Sequence, residues 1–205
     1  QYEKAEETYK RVLEESSNNF AALKGLGDLY LEQENYDEAA DYYNDALSIR
    51  ADADTSLNLA RTYLNSGKLE DAKSELENLL TTNPYSGEAY MLMGDYYRKK
   101  DITDRALEEY REGLARTQDR EVRLNISKKV VDLAPEDIET RFTLATIHRD
   151  RHVYDLAIEQ YRKILDISED DTEKREAYLG LGESYLKKTD YKEAKEYFDQ
   201  GLKLA

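Results

Sequence analysis

Residues 26–46 read LGDLYLEQENYDEAADYYNDA, from Leu26 to Ala46. Leu23, Leu26, Gly27 and Tyr30 stand at i, i+3, i+4 and i+7, one face of a helix. Asn35 breaks that pattern, and Ala39, Tyr43, Ala46 and Leu47 then start a second helical face. The stretch is therefore one helix, a turn and another helix, here called A and B. Small residues at Gly27 and Ala39 let the two backbones approach. The rings of Tyr30 and Tyr43 fill the space that remains.

The same skeleton returns as Met93-Gly94, Tyr97, Ala106, Tyr110 and Gly113, and again as Leu181-Gly182, Tyr185, Ala194, Phe198 and Gly201. Weaker copies run through Leu59-Ala60, Tyr63, Ala72 and Leu76, and through Leu144-Ala145, His148, Ala157 and Tyr161. Counted from six residues before each pair, repeats begin at Phe20, Ala53, Gly87, Ile138 and Arg175, in steps of 33, 34, 51 and 37. Ala5, Tyr9 and Val12 have the B-helix spacing, so the chain opens on a half repeat, as expected of a piece of a longer protein.

This pattern resembles the tetratricopeptide repeat family, a helix–turn–helix of about 34 residues, and the resemblance covers nearly the whole chain. It implies an all-α, right-handed α-solenoid in which each repeat is buried by its neighbours. The organisation expected is a leading half repeat and three repeats over 1–118, an extra helix over 119–135, and two repeats over 136–205. The 51-residue step leaves half a period over, and DREVRLNISKKVVDLA (119–134) puts Val122, Ile126, Val130 and Leu133 on one face. Read as a B helix it would set Arg123 and Ser127 where small and aromatic residues belong. We read it as one extra helix that redirects the superhelix; a degenerate repeat with shortened helices is the alternative. Asn35-x-x-Glu38 and Asp190-x-x-Glu193 are expected capping boxes, Pro84 stops a helix, and the acidic insert 169–171 is expected to lengthen a loop.

Function follows from the resemblance. It implies a scaffold for protein–protein interaction that holds a peptide segment or amphipathic helix of a partner. In this family positions 2, 5, 6, 9, 12 and 13 of helix A line a concave groove. Those positions give the expected site: Leu57, Asn58, Arg61, Met91, Leu92, Asp95, Arg98, Phe142 and Leu179, with Leu31, Leu64 and Leu186 adding apolar surface. Position 5 alone makes a ladder of Leu57, Met91, Phe142 and Leu179. Eight large apolar residues on a nominally exposed groove point to a binding surface; the alternative is that neighbouring helices cover some of them. The carboxylate clamp of some members is not matched in the first three repeats. Lys24 and Asn58 fit it, but Asp28, Glu88 and Leu92 do not, and an acidic site repels a carboxylate. Two other roles stay open: self-association through repeat ends without capping helices, and a regulatory array of an enzyme whose catalytic domain lies outside this chain.

Composition narrows the classes further. The chain has 205 residues, 30 Lys+Arg against 45 Asp+Glu, and a net charge of −15, which disfavours a nucleic-acid partner. It has no cysteine, hence no thiolate or disulfide chemistry. No apolar run reaches the roughly 18 residues of a membrane span. His148 and His152 have the i, i+4 spacing of zinc-binding helices, but His148 occupies a slot that is Tyr in the other repeats, and no Glu follows it. Gly25-Leu26-Gly27 and Gly180-Leu181-Gly182 lie within helical patterns rather than after strands, so helix packing explains them better than a phosphate loop. Asn125-Ile126-Ser127 is a glycosylation sequon that has meaning only in a secretory compartment. The expectation is no catalysis, no metal and no cofactor.

Overall fold

The computed structural model describes residues 2–204, which form twelve α-helices and, among the described residues, no strand. They fall into two compact modules, Gln1–Thr117 and Gln118–Ala205.

The first module holds α1 (Tyr2–Glu15), α2 (Phe20–Glu32), α3 (Tyr36–Ile49), α4 (Ala53–Ser66), α5 (Leu69–Thr82), α6 (Gly87–Lys99) and α7 (Thr103–Arg116). Helices α2, α4 and α6 are A helices and start at the residues expected from the repeat count. Each packs on its own B helix and on the B helix before it. The interdigitation is tight. A Cβ built on Gly94 would lie 2.3 Å from the Tyr110 ring, and one on Gly27 would lie 2.5 Å from the Tyr43 ring. Both tyrosines are completely buried. Only a residue without a side chain lets these rings seat against the A helix.

The second module holds α8 (Arg120–Leu133), α9 (Ile138–Asp150), α10 (Tyr154–Ile167), α11 (Asp171–Lys187) and α12 (Tyr191–Leu202). The stretch 119–134 is one helix, not two shortened ones. Helix α8 packs on α9, with Leu124 against Leu144 and Ile147. Its ends differ in kind. The Asp119 side chain caps the start by accepting from the N–H groups of Glu121 and Val122, as at the A helices. Its end at Ala134, with φ −129° and ψ 79°, repeats the end of the B helix α5 at Asn83, with φ −133° and ψ 77°; a proline follows each.

Two local expectations are corrected. Asn35 and Asp190 make no side-chain cap. The preceding residues Glu34 and Thr189 are left-handed, at φ 59° and 65°. That turn sends the Asn35 N–H back to the Tyr30 carbonyl at 2.9 Å and the Asp190 N–H to the Tyr185 carbonyl at 3.0 Å. These are Schellman closures of the A helix, and they fix the A–B turn through backbone alone. Side-chain caps sit instead at the A helices, on Asn19, Asp52, Ser86, Asp137 and Asp170. The acidic insert does not lengthen a loop either. Asp170 caps α11 and Asp171 opens it, so the extra residues add a first turn, where carboxylates meet the positive end of the helix dipole.

Candidate functional site

In the first module the expected groove residues come together, but as a closed, paired surface. Helix α4 packs directly on both α2 and α6. As a result Leu57, Leu64, Met91 and Leu92 are buried, at 2–8% exposure, and all but Met91 join one apolar cluster with Leu76 and Met93. They were expected to lie open on the groove; instead they are buried where α4, α5 and α6 pack together. The polar residues between them are consumed by one another. The Tyr43 hydroxyl and the Asn58 amide both donate to Asp28 Oδ1, at 2.8 and 3.0 Å. Arg61 reaches Glu88 and Asn58. The Tyr110 hydroxyl donates to Asp95 Oδ1 at 2.6 Å, and Arg98 lies 3.8 Å from the same carboxylate. Lys24 lies 3.8 Å from Asp52 and 3.9 Å from Asp54. Burial, then the Asp28 and Asp95 carboxylates, push the Tyr43 and Tyr110 phenols far above their ordinary range.

The second module is different. Its A helices α9 and α11 approach less closely than α4 and α6 and are bridged by the Arg149–Glu183 ion pair. Two open depressions lie along them. One, of about 520 Å³, is lined by the apolar Phe142 and Ile147, by Glu139, Asp150 and Glu176, and by Arg120 and Arg123. The other, of about 550 Å³, shares Arg120 and Asp150 and adds Arg149, Glu183, Leu186 and Lys187. Phe142 is half-buried, with its ring centroid 6.2 Å from that of Tyr161. Leu186 is 45% exposed. Leu179 is 42% exposed but leans towards Gly201 of α12 and lines neither depression.

Of the nine expected site residues, Phe142 lines the first of these two depressions. The sequence missed Arg120 and Lys187. The available signal for Lys187 was its place at groove position 13, counted from Arg175.

The two histidines do not share a helical face. His148 is buried in α9, and burial, with Lys128 and Arg151 adding to it, lowers its pKa. Helix α9 ends at Asp150, so His152 lies beyond it in a left-handed turn at φ 61°, its Nδ1 2.8 Å from the Tyr154 hydroxyl. Among the described residues no three His, Cys, Asp or Glu side chains converge as a metal site. No described helix is long and apolar enough to cross a membrane.

The paired A and B helices, the glycine-seated rings and the groove of A helices define a helical-repeat protein. The chain belongs to the tetratricopeptide repeat family: profiles of that repeat match residues 1–54, 31–96 and 137–205. It is 37% identical over 79 residues to tetratricopeptide repeat protein 21B of Xenopus laevis, covering 38% of this chain and 6% of that protein. It is 25% identical over 205 residues to the human protein O-mannosyl-transferase TMTC1, covering 98% of this chain and 21% of that protein. The chain thus spans a small part of either relative. Among solved structures, a tetratricopeptide repeat protein from Parabacteroides merdae matches with a TM-score of 0.53 and 20% identity, over all of this chain and 87% of that one. The C-terminal part of a repeat protein from Cytophaga hutchinsonii matches at 0.54 and 16%, over 99% and 88%. At such identities these structures establish the fold.

Proposed function

We propose that this chain is a non-catalytic interaction scaffold that holds a segment of a partner protein against its A helices, within a larger protein. The observation that carries this reading is the pair of open depressions along α9 and α11, with Phe142 and Leu186 presented in them. A surface of this kind is adaptable and partly apolar, as protein-binding surfaces are.

One observation favours a second reading. The match to protein O-mannosyl-transferase TMTC1 runs through 98% of this chain. The array would then serve an enzyme whose catalytic part lies elsewhere, still as a binding module.

The test of the scaffold reading is an amide-resolved NMR titration with a peptide that the protein selects from a displayed random library. Shifts confined to A-helix groove positions support it. Shifts confined to the B-helix surfaces, or a failure to select any peptide, overturn it.

A further inference from the structure

We infer that the binding site lies in the second module and is built for a bipolar segment: an apolar side chain flanked on one side by carboxylates. This rests on the scaffold reading above and specifies where the segment sits and what it carries.

The two modules differ in what they leave unpaired. In the first, the charged groove residues of α2, α4 and α6 are partnered within the protein, as described above, and the apolar ones are covered. A ligand there would have to break existing pairs to make new ones. In the second, Arg120 and Lys187 are exposed, and no ion pair or hydrogen bond holds either among the described residues. Arg149 is held by Glu183 across α9 and α11. The depression beside Leu186 therefore has three cations against two carboxylates, one of them already taken. This local excess of positive charge lies in a chain of net charge −15.

The other depression reads the opposite way. Phe142 and Ile147 offer apolar wall, and Glu139 and Glu176 outnumber Arg123, so the charge that belongs to this depression alone is negative. Arg120 and Asp150 belong to both depressions, so the two adjoin at these side chains. A segment lying along them would place a large apolar side chain against Phe142 and carboxylates near Arg120 and Lys187. Carboxylates at the Glu139 and Glu176 end would be repelled. Charge complementarity thus selects both the composition of the segment and its direction. Lys187 lies at the A–B turn edge and Arg120 at the start of α8, away from the positions that a carboxylate clamp uses.

The experiment uses the whole chain and a randomised dodecapeptide library displayed on phage. Selected peptides should carry a Leu, Ile, Phe or Trp with two or more Asp or Glu on one side. Their affinity, measured by fluorescence anisotropy, should fall at least ten-fold in an Arg120→Glu/Lys187→Glu variant and should weaken as salt rises. Both residues are exposed, and Glu suits the dipole at the first turn of α8 but opposes it at the last turn of α11, so the two effects offset and the variant should fold; its circular dichroism checks that. Recovery of binding when the peptide carboxylates are changed to Lys would complete the charge swap. Selected peptides that are neutral or basic overturn the inference and leave the scaffold reading standing. So do acidic peptides whose affinity the charge reversal leaves unchanged. Selection of no peptide overturns both.

Discussion

The Tyr43 hydroxyl donates to Asp28 Oδ1 at 2.8 Å, across the A and B helices of one repeat, and Tyr110 does the same to Asp95 two repeats on. The ring is buried, so the phenol depends on this carboxylate for its hydrogen bond. A hydrogen bond to a charged acceptor contributes about 1.5–3 kcal/mol. Tyr43→Phe and Asp28→Ala should each destabilise the fold, and their double-mutant cycle should show a coupling of about 1 kcal/mol or more in urea unfolding. Strict additivity would mean that the contact contributes nothing beyond packing.

Arg141 is the one buried guanidinium among the described residues, at 7% exposure, and no carboxylate answers it. It donates to the Pro135 carbonyl at 2.7 Å and to the Gln160 side-chain oxygen at 2.8 Å. It therefore ties the α8–α9 turn to α10. Arg141→Ala leaves both acceptors short of a donor and opens a void, and should cost about 3 kcal/mol. Arg141→Met refills most of the volume, so its loss should be smaller. Equal losses in the two variants would show that the hydrogen bonds are not the stabilising part.

Much of this was legible in the sequence, because the repeat spacing is also the packing rule. Four A helices begin at the expected residues, since the Leu-Gly pair and the B-helix ring must meet at fixed offsets. The openness of position 5 was not legible. It depends on how close the neighbouring helices stand to that side chain: Leu57 is buried where α4, α5 and α6 meet, whereas Phe142 of α9 is half open. The repeat pattern contains no such distance. The capping boxes failed for a similar reason, because a left-handed residue before the turn had already used the backbone group that a box would engage.

Those left-handed residues give a stability prediction. Five A–B turns use one, and only Gly67 is a glycine; Thr189 is β-branched at φ 65°. A β-branched side chain there is strained, by about 1–2 kcal/mol. Thr189→Gly removes the strain but adds freedom to the unfolded chain, so the net gain should be about 0.5–1 kcal/mol. Gly67→Thr should lose stability by the reverse argument. Melting temperatures of the two variants check both signs, and a Thr189→Gly protein that melts earlier than its parent would contradict the strain.

His148 stands in α9 where other repeats carry Tyr30, Tyr63, Tyr97 and Tyr185. Burial is the main reason its pKa is lowered, and Lys128 and Arg151 add to it against a weaker opposite pull from Glu159. The folded protein thus holds a neutral imidazole. The unfolded chain takes up a proton near pH 6.5. The contribution of the neutral form is full above that value and is lost as pH falls towards the lower folded pKa. Between pH 7.5 and 5.5 the parent should lose more melting temperature than His148→Tyr, whose phenol does not titrate there. Parallel losses would mean that other groups carry the whole pH dependence.

Met91 and Leu186 separate fold from site most directly. Both stand at groove positions of A helices. Met91 is covered in α6 at 8% exposure, while Leu186 borders the second module's depression at 45%. Truncating a buried Met removes transfer energy and leaves a cavity, so Met91→Ala should cost about 2–5 kcal/mol. It should leave the affinity of the folded protein for a selected acidic peptide unchanged, because no wall of the depressions comes from α6. Truncating a Leu that is 45% exposed removes less packing than truncating a buried side chain, so Leu186→Ala should cost no more than about 1 kcal/mol. Covering that side chain with a partner is worth roughly 1.5–3 kcal/mol at full burial, so its loss should weaken the peptide by about ten-fold. Unfolding curves and peptide titrations on the same two samples make the comparison. A Met91→Ala protein that is stable but binds weakly would return the site to the first module, and the ladder of position 5 with it.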